Sequence, residues 1–442
     1  MSCFEDLSEK LMRAIAPSKK ILEFGCGTGR LGQRYKELAP SASWHGVDTH
    51  APSLEVAKER LDRVWLADLN VANLRVFQDG YDCVVISNVL ENLKQPERLL
   101  TAVRAHVTTN ARLVCSIPNM TNISVIERML IGDLSYDANG LMDMRNLRFF
   151  SQSSAFKLFL DSGWLPHLRD QYRADHHNVE WAADLISCAE KLGASKEAAA
   201  RALNCYHMII VCSRSEESQG RTAVPLSVIV PVNNETQFAL NVTRSPGLQE
   251  IGAQILPCRE AKSAADAFMR GRAQASGQWL MLCHQDVYFP AGSGFALCEK
   301  LAGISEDESE RALIGFAGIG TKSPANPYAK TFEAGLVIDR IDHFNWPIAE
   351  RGVSLDEFAV VLHRNTSLAI DPTLGWHLWA TDLCLAAMQS NPPAFARIVR
   401  VPVYHNSLTD HSLPPAFYES AQRLAGKYSK VPGIRSLCAK IN

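Results

Sequence analysis

What this 442-residue chain lacks narrows its class before any motif is read. No apolar run approaches the ~20 residues that a bilayer-spanning helix needs, so no membrane span is expected. The twelve cysteines include no C-x-x-C pair and no metal-ligand spacing, which argues against a zinc site or a redox motif built on thiols. Several, such as Cys115, Cys212 and Cys283, sit inside apolar runs and read as buried free thiols of a reducing compartment. The opening FEDLSEKLMRAI is acidic and amphipathic, without the basic and apolar regions of a signal peptide, so a cytoplasmic address is expected. The formal net charge of -2 supplies no general pull toward nucleic-acid phosphates; nucleic acid is not expected as a partner, and at a membrane only peripheral contact is allowed for. Internal repeats and low-complexity tracts are absent as well.

What is present describes a globular protein, with 47% apolar and 21% charged residues. At ~150–200 residues per domain the length suggests two or three domains, and the motifs favour two. From 6 to 116, helical and strand patterns alternate: helices at 6–16, 30–38, 52–61 and 95–107, strands at 20–24, 43–48, 63–66, 82–87 and 111–116. Such alternation predicts a parallel sheet covered by helices. Helices at 122–131, 152–162 and 179–202 follow, and the apolar CYHMIIVCSR at 205–214 is expected to be the last strand. SEESQGRTAVP at 215–225 is polar, carries Gly and Pro and lacks either hydrophobic period, so 215–224 reads as a linker between domains 1–214 and 225–442. Beyond it, strands at 226–231, 253–257, 279–284 and 312–319 and near 334, 360 and 399, with helices at 263–274 and 293–302, predict a second α/β sheet.

In the first half, ILEFGCGTG at 21–29 places Gly25, Gly27 and Gly29 between a strand and a helix, where the backbone turns tightly and lies against a ligand. The next strand ends at Asp48, ~20 residues on, where a carboxylate can accept hydrogen bonds from both ribose hydroxyls of an adenosine ligand. The third strand ends at Ala67-Asp68-Leu69, where a carboxylate can take the adenine amino group, and the fourth at Ser87-Asn88. This series resembles the class I S-adenosylmethionine (SAM) methyltransferases over about 1–214. The resemblance implies a Rossmann-like sheet, SAM as cofactor, and Glu23 holding the methionine part of the donor beside Gly25, Gly27, Gly29, Asp48, Asp68, Leu69 and Asn88. VLENL at 89–93 and GLMDMRNLRFF at 140–150 resemble a subfamily associated with bacterial glycan synthesis, which carries His where this chain has Asn92 and Asn146. Asparagine cannot take a proton at neutral pH, so a general base at those positions is lost. His176 and His177 are the nearest replacements by composition, set against two surface loop histidines. Cys26 is read as a small residue the turn accommodates.

In the second half, LSVIVPVNNE at 226–235 is a buried strand running into a turn, and QWLMLC at 278–283 is a second, ending at His284-Gln285-Asp286-Val287. A nucleoside diphosphate leaving group concentrates negative charge, and a divalent ion held by a strand-end carboxylate stabilises its departure. The pair resembles A-type (GT-A) glycosyltransferases, and specifically a glycosyltransferase-like family with HQDV at this place; GWHLWATDLCL at 375–385 and YHNS at 404–407 extend the likeness over 225–435. The resemblance implies nucleotide-sugar contacts from Pro231, Asn233, His284 and Asp286, and a divalent Mn or Mg ion on Asp286. His405 is weighed as a second metal ligand against a structural histidine, and His284 as a ribose or phosphate contact against a strand-end polar group. Asp382, at a helix start, is expected to be the catalytic base of an inverting transfer, or else a helix-capping charge. Trp346, Trp376 and Trp379 are weighed as sugar-stacking or core residues.

The combined expectation is a bifunctional enzyme that methylates a sugar hydroxyl from SAM and adds sugar from a nucleotide donor to a glycan or lipid-linked oligosaccharide acceptor, in surface polysaccharide synthesis. Two alternatives accompany it: a glycosyltransferase with a non-catalytic SAM- or glycan-binding N-terminal module, and a non-catalytic scaffold for other synthases.

Overall fold

The computed structural model describes residues 3–73, 80–172, 181–216, 220–340, 343–408 and 413–442. The chain divides into two compact units at Glu216.

The N-terminal unit is built on seven strands, β1 (Lys20–Phe24), β2 (Ser43–Asp48), β3 (Arg63–Leu66), β4 (Tyr81–Ser87), β5 (Val107–Pro118), β6 (Trp164–Tyr172) and β7 (His207–Arg214). They lie in the order β3-β2-β1-β4-β5-β7-β6. The first five run parallel, while β7 is antiparallel to both β5 and β6. Ile21, Cys83, Val85, Val114 and Ile209 face a core completed by Leu7, Leu11 and Trp44. Burial on both faces is what near-continuous apolar strands between helices produce.

Two sequence expectations are corrected in this unit. β6 does not read as a strand because Pro166 interrupts it and polar residues fill its second half; as the sheet edge it tolerates a missing donor, and it bulges between Leu168 and Asp170. The single helix expected at 179–202 is two, Ala182–Lys191 and Lys196–Asn204. Gly193 at φ +93° ends the first, and Ser195 Oγ caps the second by accepting the Ala198 N–H at 3.2 Å.

The C-terminal unit holds β8 (Leu226–Val232), β9 (Gln254–Arg259), β10 (Trp279–Cys283), β11 (Val287–Tyr288), β12 (Leu313–Gly315), β13 (Ala317–Thr321), β14 (Thr331–Asp339), β15 (His343–Asn345), β16 (Ala349–Leu355), β17 (Ala359–His363), β18 (Ala396–Ile398) and β19 (Tyr404–His405). One sheet runs β11-β19-β14-β13-β16-β18-β12-β17-β10-β8-β9, with β15 on β14. β9, β8 and β10 are parallel, and β10 meets β17 antiparallel. Alternate residues feed two cores: Val228, Val230 and Met281 on one face, Ile229, Leu280 and Leu282 on the other. The single strand expected at 312–319 breaks at Phe316 into β12 and β13, because the two halves pair with different neighbours.

Candidate functional site

At the C-terminal edge of the first sheet, the glycine turn after β1 is held from the neighbouring strand. Gly25 and Cys26 donate their N–H groups to Val47 O at 2.9 and 3.2 Å. Asp48 Oδ2 accepts the Gly27 N–H at 2.8 Å, while its Oδ1 accepts the His50 N–H at 2.9 Å. Each oxygen keeps a lone pair for a ligand hydroxyl. Gly25 must be glycine, since it sits at φ +79° and a Cβ there would lie 2.6 Å from Ser87 O. The turn opens on a cavity of about 810 Å³ lined by Glu23, Gly25, Gly27, Asp48, Asp68, Leu69 and Asn88. Gly29 stands behind that wall, packed on Ala57 and Leu61 at the start of the helix Arg30–Leu38. Asp68 Oδ1 accepts the Asn70 N–H at 2.9 Å. Asn88 adopts a left-handed backbone, and its Oδ1 accepts the Ser116 hydroxyl at 3.1 Å. Glu23 is buried beneath the turn, and burial lifts its carboxyl to about 8. The Cys26 thiol is likewise pushed up by burial and the carboxylates nearby, so it stays protonated.

The facing wall carries Glu91, Asn92, Asp143, Arg145, Asn146 and His207. Asn92 Nδ2 donates to Asn88 O at 3.0 Å, and Asn146 Nδ2 to Leu141 O at 3.0 Å, so both asparagines brace the wall. Arg145 pairs with the buried Asp143, Nε to Oδ1 at 2.9 Å. Motif reading passed over Glu91 and His207. Glu91 lay in plain view inside VLENL, but only the fold shows it buried; His207 opens an apolar strand, where a histidine attracts no notice. Burial drives His207 down to about 4 and Glu91 up to about 8. His176 and His177 lie outside the described residues.

In the C-terminal unit, Pro231, Asn233, His284 and Asp286 line a cavity of about 340 Å³ together with Glu260 and Trp376. Gln285 builds its rim: its Oε1 accepts the Asn233 and Asn234 N–H groups at 3.0 and 2.9 Å, tying the β8 turn to the end of β10. One ligand atom from each of His284, Asp286 and His405 lies within 4.8 Å of the others. His405 Nε2 stands 3.4 Å from Asp286 Oδ1. Although partial burial works against ionisation, the imidazoles of His405 and His284 hold Asp286 down to about 2. β11 pairs with β19, and Asn406 donates its N–H to Asp286 O at 2.9 Å, which fixes the two motifs side by side.

Asp382 is not brought to that cavity. It is 1% exposed, and its Oδ1 takes the Tyr428 hydroxyl at 2.9 Å and Lys427 Nζ at 2.7 Å from the C-terminal helix. A different acid stands at the start of the helix Trp379–Met388: Glu357 Oε1 lies 3.4 Å from the Ala380 N–H. Burial and neighbouring Asp356 push the Glu357 carboxyl well above its usual range. Glu357 follows directly on Asp356, and this acid pair at a strand end was the signal available in the sequence. Trp379 belongs to the core, Trp346 stacks on Phe344, and only Trp376 reaches the cavity.

Residues 22–113 match the family model described as a methyltransferase domain. Over that stretch the N-terminal unit is similar to methyltransferase domains. Over 108 residues the chain is 32% identical to the demethylmenaquinone methyltransferase of Lactiplantibacillus plantarum, covering 23% of this chain and 46% of that protein. Over 109 residues it is 34% identical to the mitochondrial ubiquinone biosynthesis O-methyltransferase of Schizosaccharomyces pombe, covering 23% and 39%. Over 110 residues it is 29% identical to the malonyl-[acyl-carrier protein] O-methyltransferase of Anoxybacillus flavithermus, covering 24% and 41%. The chain thus spans less than half the length of these relatives. The family match ends before Asp143, Asn146 and His207, so it embraces the glycine-turn wall of the cavity and leaves much of the facing wall outside it. Among the described residues no helix is long and apolar enough to cross a membrane.

Proposed function

We propose that the methyltransferase unit transfers a methyl group from SAM to a hydroxyl, with residues 1–214 as its domain. The observation that carries this reading is Asp48, whose carboxylate clamps the Gly27 N–H while keeping acceptor capacity toward the cavity. The cavity fits the donor: Asp48 for the ribose hydroxyls, Asp68 and Leu69 for the adenine, and a buried acid, Glu23, for the methionine ammonium. SAM supplies an already activated methyl carbon, so the protein's work is alignment and exclusion of water. Calorimetric titration with S-adenosylhomocysteine (SAH) tests it. Micromolar binding that Asp48→Ala weakens at least tenfold is the expected result, and no binding by the intact chain sinks it.

For residues 225–442 we propose metal-assisted glycosyl transfer from a nucleotide sugar to a glycan or lipid-linked oligosaccharide, in the cytoplasm. The converging His284, Asp286 and His405 support it, at the end of a parallel strand and beside a cavity carrying Asn233 and Pro231. Two imidazoles with one carboxylate suit Mn²⁺ better than Mg²⁺, which prefers oxygen donors. On this reading His405 is a ligand and His284 a third one. Asp382, buried against Lys427, competes with Glu357 for the role of acceptor base. Hydrolysis of nucleotide sugars that depends on Mn²⁺ and disappears in Asp286→Ala is the expected signature.

A further inference from the structure

Among the described residues four buried side-chain nitrogen or oxygen atoms have no hydrogen-bond partner: Glu91 Oε2, Asn92 Oδ1, Ser162 Oγ and His207 Nδ1. Three of the four belong to residues lining the methyltransferase cavity. An unpaired buried polar atom costs about 1–3 kcal/mol, so folds rarely leave several in one place unless something arriving from outside satisfies them. Their positions are fixed, not accidental. Glu91 O accepts the Leu147 and Arg148 N–H groups at 2.7 and 2.9 Å, which pins the turn Leu90–Asn92 to the wall. Asn92 has already committed its amide nitrogen to Asn88 O, leaving its oxygen as the free end.

All three groups can accept. Asn92 Oδ1 does nothing else, an ionised Glu91 carboxylate has only lone pairs, and a neutral imidazole offers one at whichever ring nitrogen lacks the proton. A molecule without N–H or O–H groups on this side would leave Asn92 Oδ1 and an ionised Glu91 unpaired. We infer that the methyltransferase cleft takes an acceptor with two neighbouring hydroxyls, Glu91 accepting the proton of the one that is methylated while Asn92 and His207 hold the other. This rests on the methyl-transfer reading proposed above and adds to it an acceptor class and a catalytic residue.

The step balances. A lone pair of the acceptor oxygen forms the new O–C bond, the C–S bond breaks with its electron pair going to sulfur, and the positive sulfonium becomes a neutral thioether. The hydroxyl proton passes to the Glu91 carboxylate and from there to water. The charged and titratable groups around Glu91 are Asp143, which disfavours its ionisation, Arg145, which favours it, and the Cys115 thiol; Glu23 and Asp48 line the same cavity. Burial dominates and sets the carboxyl near 8, basic enough to receive a proton when ionised. His207, near 4, stays neutral throughout that range.

The test uses the full chain saturated with SAH, with catechol and methyl glucoside as vicinal-diol probes and phenol as the single-hydroxyl control. Infrared difference spectra should show a protonated-carboxyl band at pH 7 that Glu91→Gln removes and Glu91→Asp moves, and that at least one diol shifts while phenol does not. With SAM and labelled methyl, Glu91→Gln should lose about 100-fold in kcat, keep KM within threefold, and flatten a rate that otherwise rises toward pH 8. A band indifferent to both diols, or a Glu91→Gln variant with unchanged kcat and pH profile, overturns the inference. Failure of SAH to bind overturns the donor reading itself, whereas SAH binding without a diol response overturns only the assignment of Glu91 and its acceptor.

Discussion

Trp44 donates its indole N–H to Glu23 Oε2 at 2.9 Å, across neighbouring strands and beneath the glycine turn. The bond partly compensates a buried acid, yet burial wins and the carboxyl rises from 4.5 to about 8. An acid whose folded pKa lies above its unfolded one contributes stability that is full below the unfolded value and is lost as pH rises through the folded value. The ligand-free N-terminal unit should therefore melt at progressively lower temperature from about pH 5 to 8. Glu91 shifts in the same sense, so Glu23→Gln and Glu91→Gln should each remove part of the slope. SAM affinity should run the other way, increasing with pH as Glu23 ionises to meet an ammonium, and Glu23→Gln should abolish that trend. Calorimetry across pH 5 to 9 checks both.

Two glycines of one turn separate stability from binding. A Cβ on Gly25 would meet Ser87 O at 2.6 Å and Val89 Cγ2 at 2.7 Å, whereas one on Gly27 meets nothing within 4 Å. Both sit at positive φ, which alone costs an alanine about 1–2 kcal/mol. Gly25→Ala adds a clash with backbone and should destabilise by roughly 3 kcal/mol while abolishing SAH binding. Gly27→Ala should cost about 1 kcal/mol in denaturant melts, with a larger loss in SAH affinity, because its methyl projects into the space the ligand needs.

The glycine-turn wall of the first cavity was legible because it is local. A glycine turn after one strand and an acid at the tip of the next are set by sequence spacing, and Glu23, Gly25, Gly27, Asp48, Asp68, Leu69 and Asn88 do share one cavity wall. The facing wall was not legible, because what distinguishes Glu91 and His207 is burial without a partner, which only tertiary packing decides. β6 escaped because edge position, invisible in a sequence, is what excuses Pro166. In the second unit, HQDV and YHNS each carried a signal, but their meeting depends on the β11–β19 pair. The acid at the helix start was equally visible as Asp382, yet its environment is set by Lys427 and Tyr428 from a distant helix.

That environment makes a prediction of its own. Lys427 Nζ bridges Asp382 and Asp371 at 2.7 Å to each, with Asp382 nearly sealed from solvent. Removing the cation leaves a buried carboxylate with only the Tyr428 hydroxyl and no counter-ion, so Lys427→Met should cost about 3 kcal/mol, and adding Asp382→Asn should restore most of it. If Asp382 acts only in this clamp, Asp382→Asn should retain glycosyl transfer while Glu357→Gln loses it. Loss of transfer in Asp382→Asn with unchanged melting would instead make Asp382 the acceptor base.

The cluster at the end of β10 should respond to metal before it responds to sugar. His405 sits against Asp286, which holds the imidazole proton more tightly than usual despite burial, so a cation entering between them competes with that proton. Mn²⁺ binding should accordingly release protons, seen as an enthalpy that varies with the ionisation heat of the buffer. At a hundredfold excess over Kd the folded unit gains about 2.7 kcal/mol, a shift of several degrees in melting temperature. Asp286→Ala should erase the shift, because it removes the anionic donor and leaves two imidazoles in mutual repulsion when protonated. His284→Ala should weaken it, and Mg²⁺ should give less than Mn²⁺ because two of the three donors are nitrogen. A wild-type chain whose melting temperature ignores Mn²⁺, with or without a nucleoside diphosphate, would remove the metal from the second site. In that case the histidine–aspartate contact is an internal ion pair that braces β11 against β19.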